Sequence, residues 1–286
     1  MSYRLTLHPW AIFLTVLLGL GVHAAERGLA NPFFAFDNGI GGIPEPEKVL
    51  KELGYDGLGS RGYKLLPQIK TYEAAGLKIF ATYVRCDLDK TPSIDPALKD
   101  AVQELKGTDM IFWLTVAGKK RGQDDDKAVA VIREFADQVA VGGLRVAIYP
   151  HAGDYTSVAA DALRFIKRID RKNVGISINL CHELRGGQGP ELSKTIREAL
   201  PYLMLVSVNG AEPLMPGYGW EQLIQPLGKG SYDVLGFLRE LKTVGYRGPI
   251  GLQCYNVKGD KVENLKQSIR AWKEYSASLA AEAGGK

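Results

Sequence analysis

Two stretches, Val146-Ala-Ile-Tyr-Pro-His151-Ala-Gly153 and Val174-Gly-Ile-Ser-Ile-Asn179-Leu-Cys-His182-Glu183, decide the fold of this chain. Each begins as a short apolar run containing β-branched residues and ends abruptly in polar and imidazole side chains. That pattern is typical of a parallel strand that is buried on both faces and presents polar groups at its carboxyl end. The two stretches hold two of the four histidines of the protein. We therefore predict that they carry its chemistry.

The same alternation of an apolar run with a helical pattern occurs eight times along the chain. The predicted strands are Phe33–Phe36, Tyr55–Ser60, Leu77–Val84, Met110–Val116, Leu144–Tyr149, Val174–Asn179, Leu203–Val208 and Pro249–Gln253. The predicted helices are Pro44–Leu53, Leu65–Ala75, Asp95–Leu105, Lys127–Val139, Ser157–Ile169, Leu192–Ala199, Tyr232–Val244 and Val262–Leu279. Eight strand-helix units predict an α/β fold, a (β/α)8 TIM barrel in a single domain, since such barrels need about 250 residues. An open doubly wound sheet is the rival fold, but Gly39-Ile-Gly-Gly42 lacks its phosphate-binding glycine spacing.

The amino terminus has the pattern of a secretory signal peptide. Arg4 and His8 precede a nearly unbroken apolar run over residues 10–22, and Val22-His-Ala24 is a small-residue cleavage pattern. We predict a signal peptide at 1–24, a barrel at 25–286, and export to the periplasm or the extracellular space. An uncleaved membrane anchor or a wrongly assigned start is the alternative. The run is short for a full membrane span, so no stable span is expected after cleavage.

Composition narrows the class of protein. A hydrophobic content of 45% and a charged content of 24% are ordinary for a globular enzyme or binding protein. The formal net charge of +4 is small, and the basic residues are scattered along the predicted helices, so no nucleic-acid partner is expected. Cys86, Cys181 and Cys254 are too widely spaced for a disulfide framework or a zinc finger, and we interpret them as small buried residues.

In a barrel, the carboxyl ends of the strands meet at one mouth, which predicts the binding site. The candidate substrate-binding residues there are Asp37, Arg61, Tyr83, Tyr149, Asn179, Asn209, Trp220 and Gln253. This lining is polar with little net charge, and it suits a neutral polyol. Three of these residues have an alternative structural role: Arg61 in a surface ion pair, Asp37 capping a turn, and Trp220 capping the barrel core. Trp220 lies in the long insert 209–230, whose length is typical of a lid or binding loop.

Three features together resemble the xylose isomerase-like TIM-barrel superfamily of sugar isomerases, epimerases and related apurinic endonucleases. They are the order of elements, the Asn179-x-x-His182 pattern, and the segments Leu227-Gly-Lys-Gly-Ser-Tyr-Asp233 and Gly245-Tyr-Arg-Gly-Pro-Ile-Gly-Leu-Gln253. The resemblance covers nearly all of the chain after the signal peptide. It implies a sugar or keto sugar as the small-molecule partner, and a divalent metal (Mn, Mg or Zn) as a possible cofactor.

The chain departs from the metal-binding pattern that the resemblance implies. Family members typically place Glu after strand five, Asp with a following His after strand six, His after strand seven and Glu after strand eight. The corresponding residues here are Tyr149, Asn179 with His182, Ser207 and Gln253. Amides and hydroxyls are weak substitutes for carboxylates around a hard divalent cation. No cofactor is therefore firmly predicted, and any metal would have to be held by Asn179, His182 and Gln253.

His151 and His182 remain as the candidate catalytic residues, because both titrate near neutral pH and both follow strand ends. A hydrogen-bonded structural role is the alternative for each. We predict an exported isomerase- or epimerase-like enzyme that transfers a proton next to a sugar carbonyl, with the two histidines as acid and base. The alternatives are a keto-sugar lyase and a non-catalytic sugar-binding barrel on the same fold. A metal-dependent nuclease is disfavoured by the missing acidic ligands. The sequence leaves the oligomeric state open.

Overall fold

Eight parallel strands close into a barrel within residues 28–284, the part of the chain that this computed structural model describes. The strands are β1 (Phe33–Phe36), β2 (Gly57–Arg61), β3 (Lys78–Asp87), β4 (Ile111–Ala117), β5 (Arg145–Ile148), β6 (Val174–Asn179), β7 (Leu203–Val208) and β8 (Ile250–Leu252). Each strand pairs with its neighbour in sequence and β8 pairs with β1, so the sheet closes on itself. The predicted TIM barrel is confirmed and the open doubly wound sheet is excluded. The signal peptide predicted at 1–24 lies outside the described residues.

Helices cover the outside of the barrel. They are α1 (Pro46–Leu53), α2 (Leu66–Ala74), α3 (Leu98–Glu104), α4 (Asp125–Ala140), α5 (Ala159–Leu163), α6 (Ile166–Ile169), α7 (Leu180–Arg185), α8 (Leu192–Ala199), α9 (Trp220–Leu223), α10 (Val234–Thr243) and α11 (Lys261–Gly284). Among residues 28–284, none of these helices combines the length and the apolar character needed to cross a bilayer.

The predicted elements agree with the structure except in three places. The helix predicted over Ser157–Ile169 is two short helices, because the chain leaves helical geometry at Phe165, whose ring is fully buried. Helices α7 and α9 are absent from the sequence-based prediction. With six and four residues, they are too short for an apolar period of 3.6 residues to be visible.

Strand β1 illustrates how the sequence divides between the two layers of the core. Successive side chains of a strand point to opposite faces. Phe33 points outward and stacks on Trp272 of α11, with ring centroids 4.1 Å apart. Phe34 and Phe36 point into the barrel, where they join a separate apolar cluster. The apolar run is therefore continuous because both faces are buried.

The inside of the barrel is filled by a column of stacked rings. The ring of Phe36 lies 4.7 Å from that of Trp113, and Trp113 lies 4.3 Å from Tyr149. The indole nitrogen of Trp113 donates to Ser177 Oγ at 2.7 Å, which fixes the ring in its plane. The column ends at Tyr149, directly after β5, at the carboxyl end of the barrel. The core thus supports the residues of the mouth from below.

Glycine at position 251 of β8 makes room for this interior. A Cβ there would lie 2.6 Å from the Phe34 ring and 2.9 Å from the Phe36 ring. We expect Gly251→Ala to lower the free energy of unfolding by about 1–3 kcal/mol through overpacking. Thermal unfolding measures this, with Gly41→Ala as control, since a Cβ at Gly41 would approach only the flexible end of Lys261. Equal unfolding temperatures for the two variants would contradict the expectation.

Candidate active site

A cavity of about 320 Å³ opens at the carboxyl ends of the strands. Its lining contains Phe36, Asp37, Asn38, Ser60, Arg61, Tyr83, Tyr149, His151, His182, Trp220, Ile224, Gln253 and Tyr255. Both candidate catalytic histidines lie there, together with six of the eight candidate substrate-binding residues. The two that do not line it are Asn179 and Asn209.

Tyr149 and His182 form a buried pair at the floor of the cavity. Tyr149 Oη lies 3.1 Å from His182 Nε2, and the backbone N–H of Ala152 donates to His182 Nδ1 at 3.2 Å. Because Nδ1 accepts that hydrogen bond, the neutral ring carries its proton on Nε2 and donates it to Tyr149. Burial lowers the pKa of His182 well below its ordinary value, so the ring is neutral at pH 7.

The amide of Gln253 is held in one orientation. Its Oε1 accepts hydrogen bonds from Asn38 Nδ2 and from the backbone N–H groups of Cys254 and Tyr255, each at 3.0 Å. Its Nε2 therefore faces Tyr149 Oη, at 3.5 Å. With His182 and Gln253 both donating to its oxygen, Tyr149 has an O–H hydrogen with no acceptor among residues 28–284. Burial raises the pKa of Tyr149 well above 10, so this hydrogen is retained at neutral pH.

His151 is the accessible imidazole of the site. Its ring centroid lies 4.4 Å from that of His182, and its side chain is 36% exposed. Nδ1 is buried without a hydrogen-bond partner in the described chain, and the nearest carboxylate oxygen, Asp154 Oδ2, is 3.7 Å away. The ring therefore reaches the cavity through Nε2. Burial is the main reason that the pKa of His151 is lowered; the Asp154 carboxylate opposes this shift and the Arg85 cation adds to it. The ring is therefore neutral at pH 7, and one of its two nitrogens is unprotonated.

Two ion pairs flank the mouth and balance its charge. Arg61 binds both carboxylate oxygens of Asp37, with Nη2 3.0 Å from Oδ1. Arg85 binds both oxygens of Asp154, at 3.1 and 3.2 Å. Arg61 thus forms an ion pair, as in the structural role that the sequence leaves open for it. Both members of the pair nevertheless line the cavity. The mouth is polar and nearly neutral, as the sequence predicts.

Aromatic rings form the walls of the cavity. Tyr83 meets Tyr149 edge to face, with centroids 5.4 Å apart. Trp220 of α9 lies on the other side, with its ring centroid 5.4 Å from that of His182. Flat amphipathic rings of this kind pack against the apolar faces of ligands while leaving polar edges free.

Asn179 and Asn209 are buried in the barrel wall. Asn179 donates to the carbonyl of Pro150 at 3.2 Å, and its Oδ1 accepts from Ser207 Oγ at 3.1 Å. Asn209 donates to the carbonyls of Gly210 and Leu223, at 2.8 and 2.7 Å, and so holds α9 against β7. Both side chains lie outside the lining of the cavity. Their contacts fit structural roles.

The positions that carry metal ligands in the resembling family do not fit a divalent cation here. Asn179 and Ser207 are hydrogen bonded to each other, Gln253 turns an N–H2 group toward the site, and Tyr149 keeps its proton. Donor hydrogens repel a cation, and hard cations require oxygen ligands with negative charge. Within residues 28–284, no three His, Cys, Asp or Glu side chains are grouped to hold a metal ion. We assign no step of the chemistry to a metal.

The three cysteines are free, and burial raises the pKa of each thiol to about 12. They are thiols at neutral pH and hence poor nucleophiles. Cys86 and Cys181 are buried as predicted, whereas Cys254 is only half-buried.

Glu183 and Asn38 are the residues that sequence reasoning missed. Glu183 is fully buried beside His182, and its Oε1 accepts from the backbone N–H of Ala159 at 2.7 Å. Burial raises its pKa from an ordinary value of 4.5 to about 8. The sequence gives no sign that this carboxyl group is buried, because the six-residue helix α7 is too short to show an apolar period. Asn38 fixes the Gln253 amide from 215 residues away in the chain, which no local pattern reveals.

The raised pKa of Glu183 predicts that the stability of the protein depends on pH. The unfolded chain releases this proton near pH 4.5, whereas the folded chain retains it up to about pH 8, so the free energy of unfolding falls as pH rises between these values. Glu183→Gln abolishes that loss. We expect the variant to gain stability relative to the natural protein between pH 5 and pH 8, by a few kcal/mol in total. Denaturant unfolding at both pH values measures this gain. Glu191→Gln, on the exposed surface, is the control, and a pH-independent difference for Glu183→Gln would contradict the prediction.

Comparisons with known proteins agree with this architecture. A family model described as xylose isomerase-like TIM barrel matches residues 98–275, more than half of the chain. The 3-dehydroshikimate dehydratase of Pseudomonas aeruginosa is 30% identical over 167 residues, which are 55% of this chain and 25% of that protein. The chain thus spans about a quarter of the length of that curated relative.

Two solved structures share the fold at low sequence identity. The 3-keto-D-glucoside 4-epimerase of E. coli superposes with a TM-score of 0.68 and 15% identity, covering 85% of this chain and 99% of that one. An L-ribulose 3-epimerase superposes with a TM-score of 0.72 and 12% identity, covering 89% and 97%. At these identities the likeness establishes the fold alone.

Proposed function

Because the chain belongs to the xylose isomerase-like TIM-barrel family, we propose that it is an isomerase- or epimerase-like enzyme acting on a keto sugar. The reaction removes a proton from the carbon next to the carbonyl and returns it at another position or on the other face. The two solved structures that share the fold are named as epimerases, and the Pseudomonas aeruginosa relative is named as a dehydratase. The nearly neutral cavity, with its aromatic walls, suits an uncharged sugar ring.

The observation that carries the proposal is the convergence of two donors beside one base. Tyr149 and Gln253 line the floor of the cavity, where the Tyr149 O–H and the Gln253 N–H that is not bound to Tyr149 are available as donors, and His151 lines the same cavity. When a base takes the proton next to a carbonyl, negative charge develops on the carbonyl oxygen. Fixed donors aimed at that oxygen stabilise the enolate, and removal of one such donor costs about 10²–10³ in rate in comparable sites.

We propose distinct roles for the two histidines. His151 is the general base, since its ring is partly exposed and neutral at pH 7. In this role it carries its proton on Nδ1, on the side of Asp154, and Nε2 is the basic nitrogen. Both ring nitrogens of His182 are engaged by Ala152 and Tyr149, so His182 is a positioning residue that acts through the Tyr149 hydroxyl. The sequence predicts His151 and His182 as an acid/base pair. In the present proposal only His151 exchanges a proton with the substrate.

Isotope exchange tests the proposal without knowledge of the product. In D2O, an enzyme that removes this proton introduces deuterium next to the carbonyl, which NMR detects. We suggest a 3-keto-D-glucoside, L-ribulose and 3-dehydroshikimate as probes, because the names of the relatives indicate these chemistries. Exchange in at least one probe supports the proposal. Saturable binding of a probe with no exchange would contradict it and favour a sugar-binding protein.

A lyase shares the first step, and the dehydratase relative is the observation that favours it as second candidate. After proton removal, a hydroxyl on the next carbon would leave as water and a double bond would form. The same NMR spectra separate the two outcomes, because elimination yields new olefinic signals whereas isomerisation conserves the number of sp³ carbons.

Export is a further part of the proposal. It rests on the apolar run over residues 10–22 and the small-residue pattern at Val22-His-Ala24. We expect the protein expressed from its full sequence in a secretion-competent host to lose residues 1–24. Mass spectrometry of the purified protein should give a chain that begins at Ala25. A mass that includes Met1, with the protein found only in the cell interior, would refute export.

A further inference from the structure

A second cavity, of about 510 Å³, lies beside the mouth. Its lining contains Arg121, Ala152, Gly153, Ser157, Val158, Arg185, Gly186, Gln188 and Trp220. Trp220 lines both cavities. His151 lines the first cavity, and the next two residues, Ala152 and Gly153, line the second. A substituent on a sugar bound in the first cavity could therefore extend past the Trp220 indole into the second.

Arg185 gives the second cavity a cation without a counter-charge. Its Nη1 donates to the carbonyl of Tyr218 at 2.6 Å, and the guanidinium lies 5.7 Å from the centroid of the Trp220 ring. Within the described part of the chain, Arg185 takes part in no ion pair. A guanidinium has five N–H donors, so a carbonyl and a ring face leave most of them available.

Arg121, the second cation, shares its partner with other donors. It binds Asp161, which also accepts from Arg164 Nη1 at 3.1 Å and from the backbone N–H groups of Ser157 and Val158. The carboxylate side chain is only 12% exposed, whereas the Arg121 side chain is 50% exposed. The negative charge is therefore turned into the protein and the positive charge toward the cavity.

We infer that the second cavity binds an anionic substituent of the substrate, a carboxylate or a phosphate, while the keto sugar occupies the first cavity. Planar guanidinium groups bind both oxyanions through paired, charge-assisted hydrogen bonds. The Trp220 indole between the cavities offers an apolar face to the connecting part of the molecule. The inference rests on the proposed function for the identity of the rest of the substrate, but the anion site is defined by its own residues.

Calorimetry at low ionic strength tests the anion site, with inorganic phosphate and malonate as separate probes. We expect saturable binding of at least one, and the stronger of the two identifies the natural substituent as phosphate or carboxylate. Arg185→Gln should weaken that binding by about tenfold or more, since a hydrogen bond to a charged group contributes about 1.5–3 kcal/mol. Arg197→Gln, which removes a guanidinium paired with Glu240 on the outer surface, is the matched control and should bind as the natural protein does.

The His151→Ala variant separates this inference from the proposed function. It should bind phosphate or malonate like the natural protein, because His151 does not line the second cavity. If deuterium exchange fails but Arg185-dependent anion binding is found, the anion site stands and the proposed reaction is wrong. If exchange into a neutral keto sugar is found but neither anion binds, or if binding is unchanged in Arg185→Gln, the anion site is wrong.

Discussion

Replacement of His151 by alanine should lower the rate of proton exchange by about 10²- to 10⁴-fold, the usual contribution of a general base. The reason is that His151 is the partly exposed, neutral imidazole of the cavity, while both nitrogens of His182 are bound by the protein. The His151 side chain is partly exposed and its Nδ1 makes no hydrogen bond within residues 28–284, so the substitution should leave thermal stability nearly unchanged. The rate is measured by NMR with whichever probe exchanges.

The pH profile and chemical rescue separate a base from a structural residue. The pKa of His151 is lowered, so kcat/KM should be constant near pH 7 and fall as pH drops below 6.5 and the ring gains a proton. The alanine variant should lack this acidic limb and should regain activity when free imidazole is added. Unchanged activity of His151→Ala would contradict the assignment. So would a reduced activity that free imidazole does not restore, if the variant also keeps the acidic limb of the pH profile.

Tyr149→Phe should lower kcat by about 10²- to 10³-fold, the range found when one donor to a developing oxyanion is removed. The Phe ring keeps the stack on Trp113, so the barrel interior is preserved. The buried Nε2–H of His182 loses its acceptor, which costs about 1–3 kcal/mol of stability. Because the oxyanion exists only as the proton leaves, KM should change much less than kcat.

Tyr202→Phe is the matched control for this variant. It removes a tyrosine hydroxyl from the short 3-10 helix Leu200–Tyr202, which precedes β7 at the opposite end of the barrel, and should leave kcat unchanged. The double variant Tyr149→Phe with His182→Ala should be scarcely slower than Tyr149→Phe alone, since His182 acts through the tyrosine. Additive losses would show that His182 has a direct role, and a change confined to KM would contradict the role of Tyr149.

The barrel and the contents of its mouth could be predicted from the sequence because they depend on local patterns. Short apolar runs ending in polar residues identified strands such as Val174–Asn179 with the bounds that the structure has. Since the carboxyl ends of all strands of a barrel meet at one face, residues as distant as Asp37 and Gln253 could be placed around one cavity.

What could not be predicted depends on side-chain direction and on long-range contacts. Asn179 ends β6 as Tyr149 follows β5, yet its amide turns into the wall because Ser207 and Pro150 offer partners there. The orientation of the Gln253 amide is set in part by Asn38, which lies 215 residues earlier in the sequence. Glu183 lies in a helix too short to be recognised, so its burial was invisible.

The column of rings under the cavity has an entropic consequence. Tyr149 Oη sits at the end of a stack in which Trp113 is fixed by Ser177, so the oxygen has lost its rotational freedom by the time the chain is folded. A ligand then meets a donor that needs no reordering, and the conformational cost of placing it falls on folding instead of binding. Ser177→Ala removes the hydrogen bond that fixes Trp113. It should therefore increase the mobility of the Tyr149 hydroxyl under conditions in which the barrel remains folded.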